Sequence, residues 1–196
     1  NTDVGAPELA LSVARSVVLT EPTRTAAIIR CLLPRTFIDC NRSVDRETVA
    51  AASERGEMTP GLPPWVVHDQ DRDLLLDRYF AYREVVTRGF SGVCGGGGRA
   101  VCLHTYAPRS IDVAVDDDIV AALHAAYAPD RIGSWPLRAE VDLITRDPDG
   151  RELADSALAQ RAEQALSTAG FQVVRNDTYS LHPSTLAFAF AQQYAG

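Results

Sequence analysis

Lysine is missing altogether. All 19 basic residues of this 196-residue chain are arginines, which rules out Schiff-base lysines and a P-loop lysine. No run approaches the ~20 consecutive apolar residues that a membrane helix needs, so no membrane partner is expected. Methionine occurs once and cysteine four times, as Cys31, Cys40, Cys94 and Cys102. No two of these form a C-x-x-C pair, which argues against a zinc ribbon or a thioredoxin motif. Their density is too low for a disulfide-stapled secreted domain, and no charged-then-apolar segment opens the chain. Reduced, mostly buried thiols in a cytoplasmic protein are the expectation. The motifs H-E-x-x-H and G-x-S-x-G are also missing, so neither a zinc site nor a nucleophile elbow can be read from one local pattern.

What is present is an ordinary globular composition, with 46% hydrophobic and 23% charged residues. That excludes disordered, collagen-like and coiled-coil chains. The length fits a single domain spanning residues 1–196. The net charge of −7 repels phosphate backbones, so no nucleic-acid partner is expected.

Helical spacing and capping residues predict helices over 7–18, 22–33, 71–90, 116–127, 151–169 and 183–194. Short apolar runs predict strands over 35–40, 99–104, 140–145 and 171–174. The four glycines of 95–98 read as a loop, because the order helix, glycines, strand does not match a phosphate cradle. Strands alternating with helices predict an α/β sandwich with a mixed, largely parallel sheet. Ligands of such sheets sit outside the carboxyl ends of the strands, which directs attention to residues 39–42 and 104–106.

His104 ends one predicted strand. An imidazole there suits a metal ligand or a general base, and equally a hydrogen-bonded core histidine. Pro108 and Arg109 follow, and they turn a guanidinium back toward the same strand end. Asn41 and Arg42 end another strand and set an amide beside a planar fork, a pair suited to gripping a carboxylate. A turn asparagine with a surface arginine reads equally well from spacing. His68 lies in an acidic loop, His124 on a helix face, and His182 before a helix start where a capping or turn role is expected.

Several blocks, taken in order, resemble the N-formylglutamate amidohydrolase family. Arg35-Thr-Phe-Ile-Asp-Cys-Asn-Arg42 is similar to the family's "IDxNR", and Asp77-Arg-Tyr-Phe-Ala-Tyr82 to its "ERYYxPY". Val101-Cys-Leu-His-Thr-Tyr-Ala-Pro-Arg-Ser110 is similar to its "xDLHSYSPRS". Glu140-Val-Asp-Leu-Ile-Thr145 and Asn176-Asp-Thr-Tyr-Ser-Leu-His-Pro-Ser-Thr185 complete the match, which covers most of the chain from Arg35 onward.

The resemblance implies a zinc-carboxypeptidase-like three-layer sandwich. It implies a metal-dependent hydrolase that cleaves the amide of a small N-acyl acidic amino acid, with one zinc per chain. His104 would be a metal ligand, Asn41 and Arg42 would hold the substrate carboxylate, and Arg109 would make a second anionic contact or support the metal loop. A related metallopeptidase or peptide-tailoring hydrolase, and a non-catalytic carboxylate-binding homologue, are the alternatives. The family's first metal ligands lie in a "PHSG"-type turn, and no histidine precedes His68 here. That turn is expected just upstream of Asn1, or Glu21 takes its place as a ligand. The glutamate general base is expected beyond Gly196, and Arg83 stands where the family's long helix carries histidine.

Overall fold

The computed structural model describes residues 3–54, 61–63, 65–113 and 118–194. The chain order is α1 (Ala6–Thr20), α2 (Arg46–Glu54), α3 (Asp69–Cys94), α4 (Ile119–Ala126), a short 3-10 turn (Ile132–Ser134), β1 (Val141–Leu143), α5 (Ser156–Thr168), β2 (Val173–Arg175) and α6 (Leu186–Tyr194). Two compact units result. The first combines residues 1–105 with 181–196, and the second is residues 106–180.

The first unit is helical around an apolar cluster. Ile38, Val49 and Tyr79 are its most deeply buried large side chains, and burying each contributes about 1.5–3 kcal/mol. Leu76, Tyr79 and Val86 form the inward stripe of α3, at the three-to-four spacing that keeps side chains on one face. Phe90 of α3 stacks on Phe190 of α6, with ring centroids 4.4 Å apart. Asp69 and Asp71 occupy the first turn of α3, where the helix dipole favours negative charge.

The second unit holds α4 and the 3-10 turn, followed by a βαβ unit. β1 and β2 pair in parallel, Val141 opposite Val173 and Leu143 opposite Arg175, joined through α5. Asp155 caps α5 by accepting from the backbone N–H groups of Ala157 and Leu158, both at 3.0 Å. Gly170, at φ +95°, takes the left-handed conformation that ends such a helix without steric cost. Asn176 follows β2 at φ +53°, and its side-chain oxygen accepts from the backbone of Thr145 and Arg146. Asp142 ties the same strand end down through the N–H groups of Thr178 at 2.8 Å and Asp177 at 3.3 Å.

Several elements differ from the sequence expectation. The chain mixes helix and strand as anticipated, and the described residues hold one parallel sheet of two strands, without the layers of a three-layer sandwich being shown. Residues 22–33 are irregular rather than helical. Pro22, a run containing Thr23, Thr25, Ile28 and Ile29, and Pro34 together disfavour the α conformation there. Residues 35–40 form a turn rather than a strand, closed by the N–H groups of Phe37 and Ile38 donating to the Pro34 carbonyl. Residues 99–104 are irregular rather than a strand. Residues 116 and 117 of the expected fourth helix lie outside the described residues. No helix among the described residues is long and apolar enough to cross a membrane.

Candidate functional site

Ile38 is fully buried, and it anchors a turn whose next residues are polar. Asp39 organises this turn. Its N–H donates to the Gly61 carbonyl at 2.7 Å. Gly61 adopts φ +81°, and a Cβ there would lie 2.7 Å from Val44, so only glycine fits. The Asp39 carboxylate accepts from the Asn41 N–H at 3.1 Å and pairs with Arg35 at 2.8 Å and Arg42 at 3.5 Å. Two guanidiniums against one carboxylate leave a local surplus of one positive charge in an acidic protein.

Tyr79 of α3 holds this turn from below. Its hydroxyl donates to the Arg42 carbonyl at 2.8 Å and accepts from the Val44 N–H at 3.1 Å. Burial pushes the Tyr79 hydroxyl above its usual pKa, so it remains a donor across the neutral range.

The opposite wall comes from the far end of the sequence. Ser43 N–H donates to the Ser184 carbonyl at 2.7 Å, and Leu186 N–H donates to the Asn41 carbonyl at 3.0 Å. Arg42 and Thr185 form an isolated antiparallel bridge. The Arg42 guanidinium then donates to Ser184 Oγ at 3.1 Å, across 142 positions of sequence. Ser184 Oγ lies 2.8 Å from His182 Nδ1, and the Ser184 N–H donates to the same nitrogen at 3.2 Å. Nδ1 is therefore the acceptor, and the neutral ring carries its proton on Nε2. The relay runs Arg42 to Ser184 to His182. Arg42 and the adjacent Asn41 side-chain amide, which has no hydrogen-bond partner among the described residues, both offer N–H donors. Such a set suits an anion, above all a carboxylate.

Sequence reasoning singles out Asn41 and Arg42 but not Ser184, the side chain that Arg42 contacts, and it gives His182 only a turn role. That role is real: Thr185 donates to the His182 carbonyl, through its N–H at 2.9 Å and its hydroxyl at 2.8 Å.

The remaining expected residues have other partners. His104 is about half exposed, and its Nδ1 lies 2.8 Å from Asp3 Oδ2. Facing a carboxylate, Nδ1 carries the proton. Glu21 is ion-paired with Arg24 three residues on. Arg109 belongs to the second unit, where its guanidinium donates to the carbonyls of Trp135 and Gly133 and supports the 132–135 turn. An open hollow of about 430 Å³ in the first unit is lined by Phe37, Trp65, Val66, Asp71, Leu74 and Leu75, none of them a site residue.

A catalytic zinc takes three protein ligands and keeps one position open. Among the described residues no group of three or more His, Cys, Asp or Glu side chains gathers at metal-binding spacing. His104 and Asp3 supply two donors, and Glu21 is engaged elsewhere. The described residues therefore do not make up the zinc centre that the resemblance implies. Comparison of the chain with family models, with curated proteins and with solved structures finds no match.

Proposed function

We propose that this protein is a hydrolase of the N-formylglutamate amidohydrolase type, acting on the amide of a small N-acyl acidic amino acid and holding a substrate carboxylate at Arg42 and Asn41. One observation carries the reading. Three of the blocks on which the resemblance rests meet at one place: Tyr79 binds the Arg42 backbone, and Arg42 binds Ser184. The α/β class is supported by the β1–α5–β2 unit, and a zinc-carboxypeptidase-like sandwich is the finer form of the proposal.

The chemistry of binding follows from the geometry. Asp39 and Ser184 hold the Arg42 fork in place before a ligand arrives, so little side-chain entropy is lost on binding. The single surplus positive charge matches one carboxylate.

A second reading, a non-catalytic carboxylate-binding homologue, is favoured by the other partners of the expected metal ligands, His104 with Asp3 and Glu21 with Arg24. Two measurements on the full chain separate the readings. Calorimetric titration with glutamate and N-formylglutamate is expected to show binding that Arg42→Ala abolishes; equal binding by the variant overturns the carboxylate site. Formate release with one bound zinc per chain, lost in His104→Ala, supports the hydrolase. Binding with neither zinc nor turnover supports the homologue.

A further inference from the structure

Two thiols lie at the foot of the 39–42 turn, and the proposed function uses neither. Cys40 is part of the turn and is buried in the apolar cluster that anchors it, while Cys31 is half-buried and packs against the same cluster. The turn at Pro34 doubles the chain back between them, with the N–H groups of Phe37 at 2.9 Å and Ile38 at 3.3 Å from the Pro34 carbonyl. This reversal sets both side chains against one apolar cluster, near enough for each thiol to perturb the other's ionisation, and Cys31 Sγ lies 3.8 Å from the Leu33 carbonyl.

The pair is chemically asymmetric. The neighbouring Cys40 thiol is the main cause that lowers the Cys31 thiol to about 7, against the opposing effects of burial and the nearby Asp39 carboxylate. The same interaction, burial, and the charges of Cys31 and Asp39 raise Cys40 well above the ordinary thiol range. Tyr82 also faces the pair. Its hydroxyl is pushed up to about 12, mainly by burial, so it stays neutral there. Cys31 is thus the partly ionised, more accessible sulfur, and Cys40 is its protonated neighbour. An accessible thiolate beside a second thiol is the arrangement of a redox-responsive pair.

We propose that Cys31 and Cys40 are a peroxide-responsive dithiol that closes to an intramolecular disulfide beneath the 39–42 turn. The Cys31 thiolate attacks one oxygen of a hydroperoxide. The O–O bond breaks, the departing oxygen takes a proton and leaves as water (or as an alcohol from an organic peroxide), and Cys31 becomes a sulfenic acid. Cys40 sulfur then attacks Cys31 sulfur. The S–O bond breaks, and the hydroxide leaves as water with the proton Cys40 gives up. Two thiols lose two electrons in all, and the peroxide gains them. Nothing in this step depends on the carboxylate site above it.

The sequence makes the test direct. Trypsin cuts after Arg30, Arg35 and Arg42, which places Cys31 in peptide 31–35 and Cys40 in peptide 36–42. The reduced full chain is treated with equimolar hydrogen peroxide, blocked with N-ethylmaleimide under denaturing conditions, and mapped by mass spectrometry. The expected result is the loss of two alkylatable thiols, a mass about 2 Da below the sum of the two peptides, and a cross-linked 31–35/36–42 species that dithiothreitol reverses. Replacing Cys94 and Cys102 by serine leaves it intact. In Cys40→Ser, oxidation halts at a Cys31 sulfenic acid that dimedone traps. In the wild type without peroxide, the rate of Cys31 alkylation rises with a midpoint near 7. Full alkylation of both Cys31 and Cys40 after peroxide overturns the proposal. So does a bridge involving Cys94 or Cys102 in their place, or Cys31 carried to a sulfinic acid with Cys40 still a thiol. These readouts use wild-type protein first, so a Cys40 variant that fails to fold does not blunt them.

Discussion

Replacing Tyr79 by phenylalanine removes one oxygen from beneath the candidate site and leaves the ring where it is. That oxygen serves two backbone groups, the Arg42 carbonyl at 2.8 Å and the Val44 N–H at 3.1 Å. Val44 is buried, so its N–H has no water to turn to. An orphaned buried donor costs about 1–3 kcal/mol. The Arg42 carbonyl is nearer solvent and adds less, which brings the expected loss to about 2 kcal/mol. In a protein of this size each 1 kcal/mol moves the melting temperature by roughly 2–4 °C, so a fall of about 4–8 °C is expected. Thermal and urea melts followed by circular dichroism measure it, read on the transition of the unit containing α3 should the two units melt separately. Tyr82→Phe is the control. Its hydroxyl makes no hydrogen bond among the described residues, and its removal is expected to cost less than about 0.5 kcal/mol. A Tyr79→Phe protein that melts with the wild type would refute the reasoning, as would a Tyr82→Phe protein that loses just as much.

If Arg42 holds substrate as proposed, Arg42→Ala removes a contact made before and during reaction, so steady-state assays should show KM rising more than kcat falls; a pure kcat loss would move Arg42 out of the carboxylate-holding role. Asp155→Ala strips two backbone acceptor contacts from the start of α5 and should lower stability by about 0.5–2 kcal/mol in chemical denaturation, with Asp155→Asn recovering most of it. Alkaline pH should also destabilise the chain. Burial, aided by the charge of nearby thiolates, raises the Tyr82 hydroxyl from 10 to about 12. Its stabilising contribution is therefore complete below pH 10 and is lost between 10 and about 12, because the unfolded chain releases the proton first. Urea midpoints measured across that window should fall less steeply in Tyr82→Phe than in the wild type.

The helices that sequence alone revealed are those with strong local causes. The stripe of α3, the Asp155 cap and the Gly170 terminus of α5 all act within a few residues of themselves. The 22–33 segment carries helical spacing, but its two flanking prolines and its β-branched residues leave it irregular. Residues 35–40 look like a strand for the same reason that they form a turn: Ile38 must be inside in either case, and only the Pro34 carbonyl decides which. Asn41 and Arg42 were legible as a pair because they are adjacent. Their partners were not, since Ser184 meets Arg42 across 142 positions and Asp3 meets His104 across 101. No periodicity reports contacts of that span. Arg109 shows the complementary difficulty: a guanidinium suited to an anion is equally suited to the carbonyls of a neighbouring turn.

The division of the first unit into two stretches of sequence has a consequence for biosynthesis. Arg42 leaves the ribosome 142 residues before Ser184, which at about 5–20 residues per second is an interval of roughly 7–30 s. During that delay the nascent chain brings Asp39 and, once it has been made, Tyr79 to the arginine, but not the hydroxyl that completes its setting. The Arg42–Ser184 contact therefore forms late, after βαβ pairing between β1 and β2 has already become possible.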